Sequence, residues 1–230
     1  MTLTRRALVV AACLPMLAVS AGAHTMEEVE QDLATKEIYF QPADKDAPDF
    51  DLQDADGREV KLSDFQGKVV VLHFVYTNCP DSCPLHAEKI AAIQQMVNIT
   101  PMKTQVQFIS ITTDPTRDNG KVLRDFGENH GLDPANWFFL TAKPGQSGAT
   151  TQELAKSYGV EFKIMDNGEQ MHGVLTNVID QNGRLRGRFH GLEFGNLHLV
   201  IFVNALINTK AEHHDEQPQP GFWDRLRIWF

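Results

Sequence analysis

Two cysteines four residues apart are the residues of this 230-residue chain best placed to do chemistry; they lie in the run Tyr76-Thr77-Asn78-Cys79-Pro80-Asp81-Ser82-Cys83-Pro84. Soft sulfur donors side by side suit either thiol–disulfide exchange or a soft metal such as Cu(I) or zinc. A thiol at the start of a helix feels the positive end of the helix, which lowers its pKa and favours the thiolate. In a regular helix, positions i and i+4 hold their Cβ atoms about 5–6 Å apart, against roughly 3.5–4.5 Å in a relaxed disulfide. A bridging metal fits that spacing easily, whereas a disulfide needs Pro80 and the loop to draw the sulfurs together. The prolines and polar residues describe an accessible turn, which argues against two inert buried thiols. The remaining cysteine, Cys13, lies in an N-terminal apolar run, so no disulfide framework can form.

A third donor is harder to choose, because the chain has nine histidines. His73 interrupts an apolar run and reads as a hydrogen-bonded core residue. His130, His190 and His198 have no spacing that points at the cysteines, and His213-His214 sit in a polar acidic stretch that water solvates. His86 completes an i, i+4, i+7 series with Cys79 and Cys83, so it is either a ligand on one helix face or an exposed helix residue. His172 stands far along the chain, just before an apolar strand. Asp114 follows a second apolar strand. It is either an acceptor behind the cysteine site or an ordinary Asp-Pro turn that opens a helix capped by Asp118.

The elements that must position these groups read as a single α/β domain. Phe50 to Leu62 alternates around Asp56-Gly57 and predicts a hairpin. Lys68 to Tyr76 and Val106 to Thr112 are nearly continuous apolar runs, the pattern of strands buried on both faces. Trp137 to Leu140 is a further short strand, and Val174 to Ile179 with Leu185 to Phe189 form a hairpin around Asn182-Gly183. Helices are expected over Pro84–Asn98, Lys121–Asn129, Gln152–Tyr158 and Leu197–Ile207. The cysteine run thus falls between a buried strand and a helix. In a parallel sheet the strand C-terminal ends converge on one rim, which is where Asp114 would also emerge.

Composition sets the outer limits. Hydrophobic residues make up 42% and charged residues 22%, which excludes a disordered or collagenous chain. The net charge of −9, with no basic patch, excludes non-specific nucleic-acid binding. Residues 1–23 combine a basic start, an apolar stretch from Ala7 to Val19 and the small residues Ala21-Gly22-Ala23, the pattern of a cleaved secretory signal peptide. The protein is therefore expected to be exported, periplasmic or membrane-associated on the outer face of the inner membrane. Residues 24–47 read as a polar leader with one short helical stretch, and 48–210 as the folded domain. Residues 211–230 are a flexible tail ending in FWDRLRIWF, which lies in a membrane interface, docks on a partner or folds back on its own domain.

The cysteine motif with both prolines, the segment Thr113-Asp114-Pro115-Thr116-Arg117-Asp118 and His172 before GVLTNVID follow one another as in the Sco (SenC-type) copper proteins that serve cytochrome c oxidase assembly. The chain resembles that family over roughly residues 47–209. The resemblance implies a thioredoxin-like fold with an added N-terminal β-hairpin. It also implies one copper held by Cys79, Cys83 and His172. Thioredoxins set a cis-proline against their dithiol; no proline stands between Pro144 and Pro218 here, which leaves that loop free to offer a side chain. The implied function is a copper metallochaperone, not an enzyme in the strict sense, that delivers copper to the dinuclear copper-site subunit of cytochrome c oxidase. The alternative is a thiol–disulfide reductase, with Cys79 and Cys83 as its redox pair, that keeps oxidase or other exported cysteines reduced. Either role implies a thiol reductant protein as a further partner. A peroxidase of the peroxiredoxin kind is disfavoured, because Tyr76 stands three residues before Cys79 where a threonine is expected.

Overall fold

A computed structural model describes residues 25–80, 82–164 and 170–208. The expected signal peptide and the aromatic tail lie outside these residues. In chain order the elements are α1 (Met26–Lys36), β1 (Phe40–Asp46), the hairpin β2 (Asp51–Gln53) and β3 (Glu59–Lys61), β4 (Val69–Val75), α2 (Ser82–Asn98) and β5 (Val106–Thr112). They continue with α3 (Gly120–Asn129), β6 (Trp137–Leu140), α4 (Thr150–Ser157), β7 (Phe162–Ile164), β8 (Gln170–His172), β9 (Leu175–Ile179), β10 (Arg184–His190) and α5 (Asn196–Asn208).

Six strands form one sheet in the order β1-β10-β9-β4-β5-β6. Strands β4 and β5 lie at its centre, parallel to each other, and every residue of both is buried. That double burial is why their sequences read as unbroken apolar runs. Strand β6 extends the parallel half, and β9 joins β4 from the other side in the antiparallel sense. One face of the sheet packs on α1, α2, α3 and α5 through Leu33, Ile90, Leu123 and Phe202, among others. The other face packs on the β2–β3 hairpin and α4, through Leu52, Val60 and Tyr158. The result is a thioredoxin-like fold with an N-terminal hairpin, as the motifs imply.

Residues 25–47, within the expected polar leader, hold an edge strand as well as the short helix. Thr25 and Glu28 form a reciprocal capping box that starts α1. Strand β1 then closes the sheet edge against β10, with Phe40 opposite Phe189. The Phe40 ring lies 5.0 Å from both Phe189 and Phe202, centroid to centroid, so the leader contributes to the core. Glu37 fastens this corner by accepting bonds from His198 Nδ1 (2.6 Å) and the Gly195 amide (2.8 Å). The short β7–β8 pair is a second element without a counterpart in the sequence reading. Among the described residues, no helix is long and apolar enough to cross a membrane.

Candidate metal centre

Strand β4 delivers its chain to the rim of the sheet, where Tyr76 to Pro80 form the loop ahead of α2. Cys79 sits in that loop, half-buried, while Cys83 is the second residue of α2 and is buried. The helix starts before Pro84, at Ser82, because proline is tolerated in a first turn whose amides have no intrahelical acceptor. The two cysteines therefore do not share a helix face; one is on a loop and one on a helix. Both are thiols. Cys79 donates its amide to the Tyr76 carbonyl (3.2 Å), and its Sγ accepts the Cys83 amide (3.4 Å) with Ser82 Oγ at 3.8 Å.

The helix end does not lower the Cys83 thiol. Burial first, and then the hydrogen bond with Cys79, push it well above the ordinary cysteine range. The expectation of a depressed pKa is overturned there, because desolvation of a thiolate outweighs the field of a helix end. Cys83 is thus a proton-bearing donor, which binding of a cation would deprotonate.

His86 overturns both of its readings as an exposed residue and as a partner of the cysteines along one face. It is 1% exposed. Its Nε2 lies 2.8 Å from Thr176 Oγ1 on β9, so that edge of the ring faces the sheet. His73 is the core residue the sequence predicts, with Ser110 Oγ 3.1 Å from its Nε2. His172 is the last residue of β8 and stands opposite Phe162 in that ladder. Strand β9 lies antiparallel to β4 with Thr176 opposite His73, so the residues leading into β9 arrive at the rim where β4 departs for the cysteines. The His172 side chain, like Asp81, falls outside what is described.

Asp114 is 6% exposed, and its carboxylate accepts bonds from Thr116 Oγ1 (2.9 Å) and Arg117 Nε. These contacts belong to its own turn, in which the Arg117 and Asp118 amides donate back to the Asp114 carbonyl. No helix opens there, since α3 begins only at Gly120 with Asn119 ahead of it. Asp118 is consequently no helix cap. Its buried carboxylate reaches 41 residues back to Thr77, accepting from the amide (3.1 Å) and from the hydroxyl. Asp118 thus touches the cysteine loop, and a local reading of sequence could not find so distant a pair.

Among the described residues no group of three or more His, Cys, Asp or Glu side chains gathers into a metal site. What is assembled is a pair of sulfurs, one accessible and one buried, at the mouth of a helix. Two soft donors suit Cu(I) better than a hard cation.

The SCO1/SenC family matches residues 40–199. The SCO1 protein homolog of Bacillus subtilis is 29% identical over 154 residues, covering 66% of this chain and 77% of that protein. Among solved structures, BsSco, described as a Sco-family cytochrome c oxidase assembly protein with a disulfide switch, is 26% identical with a TM-score of 0.65 over 74% of this chain and 98% of its own. Yeast Sco1 with copper bound is 21% identical with a TM-score of 0.61, covering 78% and 97%.

Proposed function

The chain belongs to the SCO1/SenC family, and from that premise we propose that it is an exported copper metallochaperone for cytochrome c oxidase assembly. Cys79 and Cys83 supply two sulfur ligands and His172 the third. The client is the subunit that houses the dinuclear copper centre, and the compartment is the periplasm or the outer face of the inner membrane. The observation that carries this reading is the unequal pair of thiols: Cys83 is buried on α2, and Cys79 is half-exposed on the loop. An ion held there keeps one side open to an incoming ligand. Transfer by ligand exchange requires that opening, whereas a resident structural metal is normally enclosed.

Anaerobic titration of the reduced protein with Cu(I) against a competing chelator tests the proposal. One equivalent should bind tightly, and Cys79→Ser or Cys83→Ser should abolish binding, because a hydroxyl is no substitute for a soft sulfur. Wild-type affinity equal to that of the double serine variant would remove the chaperone reading.

The same dithiol supports a second reading, a thiol–disulfide reductase acting on exported cysteines. The disulfide switch described for BsSco favours it. Rapid exchange with client disulfides in the absence of copper, together with full oxidase maturation by His172→Ala at limiting copper, would establish the reductase instead.

A further inference from the structure

We infer that Asp118 is the positioning residue of the cysteine loop: it holds Cys79 in the arrangement that keeps the pair a dithiol. The inference rests on the reading of Cys79 and Cys83 as a working pair, yet its first readout needs no copper. Asp118 is 1% exposed, and all three donors to its carboxylate are neutral. Oδ2 accepts the Thr77 amide at 3.1 Å and the Thr112 hydroxyl, and Oδ1 accepts the Thr77 hydroxyl. Thr112 ends β5 and pairs with Val75 at the end of β4, so the carboxylate spans the exits of both central strands. The backbone of Asp118 is itself fixed, with its amide on the Asp114 carbonyl (3.0 Å) and its carbonyl under Thr141 Oγ1 (3.2 Å).

Thr77 is therefore gripped through both main chain and side chain, two residues before Cys79. Beyond it, Asn78 and Pro80 are exposed. Cys79 is further restrained by its own amide bond to Tyr76 and by the long contacts of its Sγ with the Cys83 amide and Ser82 Oγ. With Thr77 held, the loop presents the sulfurs as separate thiols. With Thr77 released, the loop can follow the sulfurs together. Oxidation by glutathione disulfide then proceeds more readily: the two thiols give up two electrons and two protons, an S–S bond forms, and two glutathiones leave.

The chemistry of the carboxylate provides its own control. In Asp118→Asn, the amide oxygen can take the Thr77 N–H and the Thr112 hydroxyl, while the amide nitrogen donates to the Thr77 hydroxyl, which then acts as acceptor. That variant keeps the grip. Asp118→Ala loses it altogether. Thr77→Val keeps the side-chain shape and loses the hydroxyl bond.

The experiment is equilibration of the exported protein with glutathione redox buffers, followed by Cu(I) titration of each reduced variant. Thr77→Val should favour the disulfide by about tenfold, which is about 30 mV more negative for a two-electron couple, and should weaken Cu(I) binding in parallel. Asp118→Ala should shift at least as far, and Asp118→Asn should remain within about threefold of wild type. If Asp118→Ala does not fold, the folded Thr77→Val still decides the matter. A folded Thr77→Val with an unchanged thiol–disulfide equilibrium overturns the inference. So does an Asp118→Asn that shifts as far as Asp118→Ala, since charge and not grip would then be at work. Should wild type bind no Cu(I) while the redox shift appears, the copper reading fails and the positioning role stands.

Discussion

The imidazole rings of His73 and His86 lie 4.7 Å apart, centroid to centroid, between β4 and the helix that carries Cys83. Each ring has its own hydroxyl, Ser110 for His73 and Thr176 for His86, and Trp137 Nε1 donates to Ser110 Oγ at 2.9 Å. A polar chain thus runs from β6 through β5 and β4 to α2 and β9, inside an otherwise apolar layer. Buried polar groups of this kind fix one packing of helix on sheet, because any slip leaves a group unsatisfied. His86 is three residues from Cys83, so the first turn of α2 inherits that register.

His73 makes the fold sensitive to acid. Burial lowers its pKa to about 3, while an unfolded chain takes up the proton near 6.5. Below about pH 6.5 the unfolded state binds a proton that the folded state refuses, so stability falls as pH falls toward about 3. The slope for one such proton is about 1.4 kcal/mol per pH unit. Urea unfolding between neutral and weakly acidic pH should show His73→Gln flatter than wild type by roughly that amount. Parallel pH dependences would show that His73 titrates normally.

A chain that starts at residue 48, the domain boundary the sequence suggests, should not fold well. It lacks β1, which leaves the β10 edge open, and it lacks the Phe40 ring that packs on Phe189 and Phe202. An open edge beside exposed aromatic rings promotes association. Gel filtration and thermal melting should show aggregation or a loss of several kcal/mol, on the order of a Phe→Ala core substitution of about 3–5 kcal/mol. A monomeric fragment that melts like the longer chain would mean β1 is dispensable.

Glu37 anchors the same corner. Burial alone would raise its pKa, but the bonds from His198 and from the Gly195 and Tyr39 amides outweigh burial and hold the carboxyl below its usual range. A lowered folded pKa contributes stability above about pH 4.5, and that contribution fades as pH falls through the folded value. Glu37→Gln should therefore cost about 1–2 kcal/mol near neutrality, with the difference from wild type shrinking below about pH 4. A penalty that stays constant with pH would mean that the charge of Glu37 plays no part.

What could be read from the sequence follows burial pattern. Strands β4 and β5 and the hairpins at Gly57 and Gly183, both with positive φ, announce themselves by apolar runs and turn residues. Strand β1 does not, because an edge strand with only Phe40 buried and Pro42 within it looks like a loop. The cysteines stand out by type, while their four-residue spacing suggests a shared helix that a start at Ser82 does not provide. His86 was not legible, since its face depends on where α2 starts: a start at Ser82 leaves Cys79 off the helix and turns His86 to the sheet. Asp118 escaped because its partners at Thr77 and Thr112 meet only once β4 and β5 pair.

The third copper ligand separates the two histidine candidates. For His86 to ligate through Nε2, that nitrogen would have to leave Thr176 Oγ1, a hydroxyl on a residue with no solvent exposure. For it to ligate through Nδ1, the metal would have to reach a ring packed on His73 in the core. Leaving a buried hydroxyl unsatisfied costs about 1–3 kcal/mol, before any strain in turning a 1%-exposed ring out of the core. His172 meets no such obstacle along the backbone, because the residues entering β9 come in at the rim beside the cysteine loop. We therefore expect His172→Ala to weaken Cu(I) binding roughly tenfold or more and to change the spectroscopic signature of the bound metal. His86→Ala should leave Cu(I) affinity within about threefold and instead lower the stability of the metal-free protein by about 2–4 kcal/mol, from the cavity and the stranded Thr176 hydroxyl. Copper titration and urea unfolding of both variants measure the two quantities side by side. The opposite pattern, with affinity lost in His86→Ala and kept in His172→Ala, would place the copper along α2 and reassign the third ligand.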